Sequence, residues 1–251
     1  MLKLRNIELG SGVPKIIVPL TGADVSEVRT AADIVLHAQP DIVEWRADFL
    51  EPLDETQLLA CLHELRLSLG KIPRHFTLRS AAQGGQAALS EEDYFAYACA
   101  AAVSGDIDML DIELESESAS KLVTLARETQ VASLVSYHDM RSTPVFDMLY
   151  DIYQREYELG ADVCKLAVTA VEEGDELRLM AATNQFASDN KDAYLIGISM
   201  GELGSITRIA GEFFGSCATF CSAVSTTAPG QLDIATARSI IAQLHEEGYN
   251  L

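Results

Sequence analysis

The stretch ADVCKLAVTA (161–170) reads as a β-strand with one foreign residue in it, Lys165. Its neighbours Val163, Cys164, Leu166, Ala167 and Val168 are apolar. An ammonium is costly to bury in such a run. Either the side chain reaches water, or the protein uses a lysine of altered pKa. The strand is one of a series. Similar short runs occur at KIIVPL (15–20), DIVEWRAD (41–48), RHFTLRS (74–80), MLDIEL (109–114), SLVSYHD (133–139), AYLIGISM (193–200) and CATFCSAV (217–224), which makes eight in all. They recur at roughly 30 residues, about the length of one β-α repeat.

The segments between these runs carry helical spacing. Ile234, Ala237, Ile240, Ile241 and Leu244 fall on one face, and Leu58, Leu59, Leu62 and Leu65 do so in another segment. Ser90 followed by Asp93 resembles a capping box. Gly70, Gly105 and Gly160 stand where helices should stop. Eight strand-helix repeats favour the α/β class and a closed (β/α)8 TIM barrel. No linker or low-complexity stretch divides the chain, so one barrel domain over 1–251 is expected. The opening LKLRNIELGSGVPKIIV reads as strand, Gly-Ser-Gly turn, strand: an N-terminal β-hairpin capping the barrel floor. A doubly wound open sheet is the alternative. The usual Gly-x-Gly-x-x-Gly turn after the first strand is missing, which weakens it.

The chain has 251 residues, 48% of them hydrophobic, and 38 acidic against 18 basic residues give a net charge of -20. Such a chain is a poor partner for nucleic acid or anionic membrane, though a few arginines can still hold an anionic substrate. The five cysteines include no Cys-x-x-Cys pair and read as reduced and buried in a cytoplasmic protein. No metal site is expected from them. No apolar h-region or membrane span is visible.

In a barrel the active site lies at the C-terminal ends of the strands. That rule selects Glu44 and Arg46, Arg79, Asp111 and Glu113, His138 and Asp139, Lys165, Arg208 in SMGELGSITR, and Thr227 and Gln231 in STTAPGQL. Taken singly, each could be a surface ion pair or a turn residue. Together they would gather three arginines, a lysine and a histidine in one mouth of an acidic protein. The arginines could hold a carboxylate and a polyhydroxyl body by forked hydrogen bonds. Burial and neighbouring cations would both lower the pKa of Lys165 and leave it a nucleophile for carbonyls. His138, on the adjacent strand, could move protons.

These residues resemble a known family, the type I 3-dehydroquinate dehydratases of the shikimate pathway. The carriers are VEWRAD, FTLRS, LDIEL, SYHD, CKLAVTA, ISMGELGSITRIAGEFFGSCATF and APGQL, spread over nearly the whole chain. The resemblance implies a dimeric barrel that uses no metal or cofactor and converts 3-dehydroquinate to 3-dehydroshikimate. It implies Lys165 as the Schiff-base residue and His138 as general base and acid. Glu44, Arg46 and Arg79 match residues that hold substrate hydroxyls, and Arg208 matches the carboxylate partner. Gln231 matches a glutamine on a closing loop (225–232), where Thr227 stands in for a serine. One departure bears on the chemistry. Gln83 stands where the family typically has a glutamate partnering the histidine, so His138 should have a lower pKa, with Asp111 as a possible compensating carboxylate. Two other readings stay open: a Schiff-base aldolase, and a barrel that binds without turnover.

Overall fold

The structure, a computed structural model, describes residues 1–223 and 230–248. The hairpin comes first, as β1 (Leu2–Leu4) and β2 (Ile7–Leu9), paired antiparallel with Leu4 opposite Ile7. Its turn is therefore Arg5-Asn6, with Arg5 at φ 53°. The expected Gly-Ser-Gly turn is instead the link that leads out of the hairpin into the barrel. Leu4 and Leu9 are buried with the floor-level interior side chains Ile17, Ile42, Met109 and Leu134, so the hairpin does plug the floor.

Eight parallel strands follow: β3 (Lys15–Leu20), β4 (Ile42–Arg46), β5 (Arg74–Thr77), β6 (Met109–Glu113), β7 (Ala132–Asp139), β8 (Val163–Thr169), β9 (Leu195–Met200) and β10 (Ala218–Phe220). They lie side by side in chain order, with β10 returning to β3. The last edge closes by a bridge, Leu195 to Ser216, and by Cys217 N–H donating to the Leu195 carbonyl at 2.7 Å. The open-sheet alternative is thereby set aside.

Several strands are shorter than the apolar runs that announce them. β4 ends at Arg46 because the chain tightens into a 3-10 turn at Ala47–Phe49. β5 ends at Thr77, before a second such turn at Ala81–Gln83. β10 keeps three residues, because Ser222 then bridges to Asp233 instead.

Helices α1 (Val25–His37), α2 (Glu55–Leu69), α3 (Glu91–Val103), α4 (Ala119–Glu128), α5 (Phe146–Glu158), α6 (Asp175–Asp189), the short α7 (Gly211–Phe214) and α8 (Ile234–Gly248) complete the repeats. Side chains starting α1 and α2, Asp24 and Asp54, accept from Glu27 and Gln57 N–H, satisfying donors that helices leave open. Ser90 caps α3 in the same way, but the Asp93 carboxylate takes the Ser90 hydroxyl at 2.7 Å, so the box closes side chain to side chain. On α8, Ile234, Ala237 and Ile241 are buried.

The strand period of two divides the core. Outward residues such as Trp45, Phe76, Leu110, Val135 and Leu166 pack under the helices. Inward residues fill the barrel, apolar at the floor and charged above it. The five cysteines are free; Cys99 and Cys217 are half-buried rather than buried, a correction to the sequence expectation.

Candidate active site

The charged layer begins where the inward positions change from Ile42 to Glu44 and Arg46, from Met109 to Asp111 and Glu113, and from Val163 to Lys165. A cleft of about 550 Å³ opens above it, lined by Glu44, Arg46, Arg79, Gln83, His138, Lys165, Arg208 and Gln231, with Met200 and Phe220 among its apolar walls. Thus seven residues picked out by strand position or motif, and Gln83, come together in one place. Asp111 lies just beneath, against Lys165. Thr227 and most of the closing loop lie outside the described residues.

Lys165 is 5% exposed. Its Nζ stands 4.2 Å from the Phe220 ring centroid and 3.9 Å from Asp111 Oδ2. Burial pushes its pKa down, Arg79 and Arg46 add to that, and Glu44 and Asp111 oppose it. The expected direction holds, but the reason is chiefly desolvation. The carboxylates of Glu44 and Asp111 act on the lysine as well as the cations, and more strongly.

His138 is held from one side. Gln83 Oε1 lies 3.0 Å from its Nδ1 and 3.0 Å from its backbone N, which donates to it. Gln83 in turn donates from Nε2 to Glu113 Oε2 at 3.2 Å. Burial, then Arg79, Lys165 and Arg46, hold the His138 pKa well below its ordinary 6.5. Asp111 is not the carboxylate behind this histidine. It accepts from Arg79 at 2.7 Å and from Ser136 at 2.8 Å. Glu113 takes that place, because the turn at Ala81–Gln83 swings Gln83 over the end of β6 rather than down toward Asp111.

The arginines differ. Arg46 forms a fork with Asp48 at 2.8 Å for both bonds, the 3-10 turn after β4 having aimed Asp48 back at it. Arg79 gives its donors to Asp111, Glu113 and Ser136. It therefore organises carboxylates as much as it faces the cleft. Arg208 donates to the Phe220 carbonyl at 3.2 Å, and burial lowers its pKa to about 10. Burial has already stripped much of the water from this guanidinium, which lines the cleft where an anionic substrate group would enter.

His75, given no role from sequence, is fully buried inside the barrel. It lies 3.9 Å from Asp111, with burial lowering its pKa to about 4. Its inward register with Thr77 and Arg79 was the available signal. Glu44, His75 and Asp111 place ligand atoms within 4.8 Å of one another, the one such group found among the described residues. Thr77 already donates to Glu44 at 2.9 Å, and Asp111 is taken by Arg79 with Lys165 close by. A dication there would face two cations, so the donor set is poorly matched to a metal.

A family model, Type I 3-dehydroquinase, matches residues 16–247. The 3-dehydroquinate dehydratase of Clostridium kluyveri is 40% identical over 238 residues, covering 93% of each chain. The crystal structure of 3-dehydroquinate dehydratase from Geobacillus kaustophilus superposes with TM-score 0.94 at 37% identity, covering 98% of this chain and 96% of that one. A type I enzyme of Clostridium difficile, solved with covalently modified comenic acid, gives TM-score 0.94 at 34% identity over 98% of both chains.

Proposed function

The chain belongs to the type I 3-dehydroquinase family, and from that membership we propose how its own residues divide the work. The protein is a hydro-lyase of the shikimate pathway, dehydrating 3-dehydroquinate to 3-dehydroshikimate by way of a Schiff base. In our reading Lys165, kept partly unprotonated by burial, attacks the substrate carbonyl and expels water to give the imine. The protonated imine draws electrons from the adjacent carbon. His138 Nε2 removes the proton there, and the electron pair moves into an enamine. The hydroxyl on the next carbon then leaves as water, taking the proton back from His138. A second water hydrolyses the imine and frees Lys165, so one water is lost overall.

Arg208 pairs with the substrate carboxylate. Glu44 and Arg46 hold hydroxyls, Arg79 fixes the carboxylate layer beneath, and Gln231 reaches in from the loop that also carries Thr227. The observation that carries this assignment is the common cleft: Lys165 from β8, His138 from β7 and Arg208 beyond β9 all line it. From the family membership we further propose a homodimer with no cofactor, and from the free cysteines and the unbroken repeat a cytoplasmic protein of one domain over 1–251; the net charge of -20 speaks against a nucleic-acid or anionic-membrane partner. Light scattering at twice the chain's 27.2 kDa would support the dimer.

The test is to add borohydride during turnover and map the reduced adduct by peptide mass. It should sit on Lys165. Lys165→Ala should lose the adduct and more than about a thousandfold in kcat. An adduct on another lysine, or full turnover in Lys165→Ala, would remove the assignment.

A further inference from the structure

We propose that Glu113, acting through the side-chain amide of Gln83, fixes which ring nitrogen of His138 carries the proton, leaving Nε2 bare toward the cleft. This rests on the reading of His138 as the base.

The argument starts at the far end of the chain of hydrogen bonds. Glu113 accepts from Arg79 at 3.0 Å, from the Ser80 N–H at 2.9 Å and from the Ser80 hydroxyl at 2.7 Å. With those three donors around it, the carboxylate presents only acceptor capacity to Gln83. At the near end, the His138 backbone N–H can only donate. An amide placed between an obligate acceptor and an obligate donor has one satisfactory orientation: NH2 to Glu113, oxygen to His138. The reverse would set oxygen against carboxylate and NH2 against N–H. Gln83 is only 9% exposed, so water would relieve such a clash poorly.

The orientation of the amide then dictates the imidazole. Gln83 Oε1 lies 3.0 Å from His138 Nδ1 and accepts only. A neutral imidazole satisfies it by carrying its proton on Nδ1, which leaves the lone pair on Nε2. The other charged groups around His138 do not decide this. Arg79, Lys165 and Arg46 disfavour imidazolium and Arg208 lines the same cleft, but none of these cations can accept an Nδ1–H bond. Asp139, next along β7, turns its carboxylate to the N–H groups of Arg141 and Ser142. Gln83 and Glu113 are thus positioning residues. Glutamine supplies direction where a glutamate would also supply charge.

The experiment uses histidine labelled with 15N in the whole protein, the His138 signals identified by their loss in His138→Ala. At neutral pH the wild type should show Nδ1 protonated and Nε2 bare. Gln83→Leu keeps the bulk and removes the acceptor. It should shift the population toward Nε2–H and lower kcat about 100-fold, with KM changed less than about threefold. Gln83→Glu keeps an acceptor at Nδ1 and should restore the tautomer, with kcat recovered only in part because the new carboxylate faces Glu113. Its added charge should move the acid limb of the His138 titration up by about one pH unit or more. Because Gln83→Glu retains the hydrogen bond, poor folding of the leucine variant would not hide the result. A wild-type His138 protonated on Nε2, or an unchanged tautomer and kcat in Gln83→Leu, would overturn the proposal. Failure of the underlying reading looks different: His138→Ala would keep its turnover while the tautomer stayed as stated.

Discussion

Lys165 and His138 both owe their chemistry to burial. Each is disfavoured in its charged form chiefly by desolvation, with Arg79 and Arg46 adding to the effect. For His138 the consequence is a base that stays neutral through the ordinary histidine range. The quantity to measure is kcat, which reports the loaded enzyme and so avoids the protonation of free Lys165. It should stay level as pH falls through 6.5 and decline only at lower pH. A half-fall at 6.5 or above would show that His138 is not the group titrating as base. Glu156, on α5, is a third buried titratable residue and does not line the cleft. Neither carboxylate oxygen has a partner of good geometry, and the nearby Lys165 backbone N–H only partly offsets a burial that raises its pKa well above 4.5. The folded state holds its proton and the unfolded state releases it, so this group's contribution falls as pH rises above 4.5, by at most about 1.4 kcal/mol per unit. Glu156→Met should therefore raise Tm more at pH 8 than at pH 5. An equal rise at both would mean that Glu156 does not titrate in that window.

At the scale of elements, the connection after β5 does much with few residues. Leu78 and Arg79 lead to an extended Ser80, which donates twice to Glu113, and the 3-10 turn at Ala81–Gln83 delivers Gln83 to His138. Gly85 closes that loop. A Cβ there would run into the Arg79 carbonyl, and backbone cannot swing aside as a side chain could. Gly85→Ala should destabilise the protein by about 2 kcal/mol. It should also lower kcat, because the displaced loop carries Gln83. Denaturant melts and steady-state rates read the two effects, and unchanged values in both would show that the loop is not fixed at this point. Little of this was legible in the sequence. QGG announces a turn, but which carboxylate the turn meets depends on β6, some 30 residues away by repeat length. The hairpin is where the sequence puts it, but its turn is not. Gly-Ser-Gly is the stronger turn signal, yet Arg5 adopts φ 53° so that Leu4 and Leu9 can both enter the floor.

For the whole molecule, acid should be the more damaging direction. His75 and His138 are folded neutral, with pKa values below the 6.5 they regain on unfolding. The unfolded chain then binds more protons, so stability falls as pH drops below 6.5, for His75 down to about 4. That histidine alone accounts for about 3 kcal/mol over the window. Urea melts at pH 7, 5.5 and 4.5 should show the decline, and His75→Leu should flatten it. An equally steep decline in His75→Leu would assign the loss to other groups.

The amino-acid sequence by itself determined the repeat, the barrel and the roster of the mouth. Strand alternation and the switch from Ile42 to Glu44, or Val163 to Lys165, are local patterns with a period of two, and they state which residues face inward and how high they lie. Motifs in order over nearly the full length did the same for the family. Only the tertiary structure decided who bonds to whom. Arg79 is largely engaged with Asp111 and Glu113, Glu113 rather than Asp111 stands behind Gln83, and His75 enters the charged layer. These partnerships join strands that are distant in the chain. A hydrogen bond needs atoms placed to within a few tenths of an ångström, and closure of the barrel supplies that, not the local sequence.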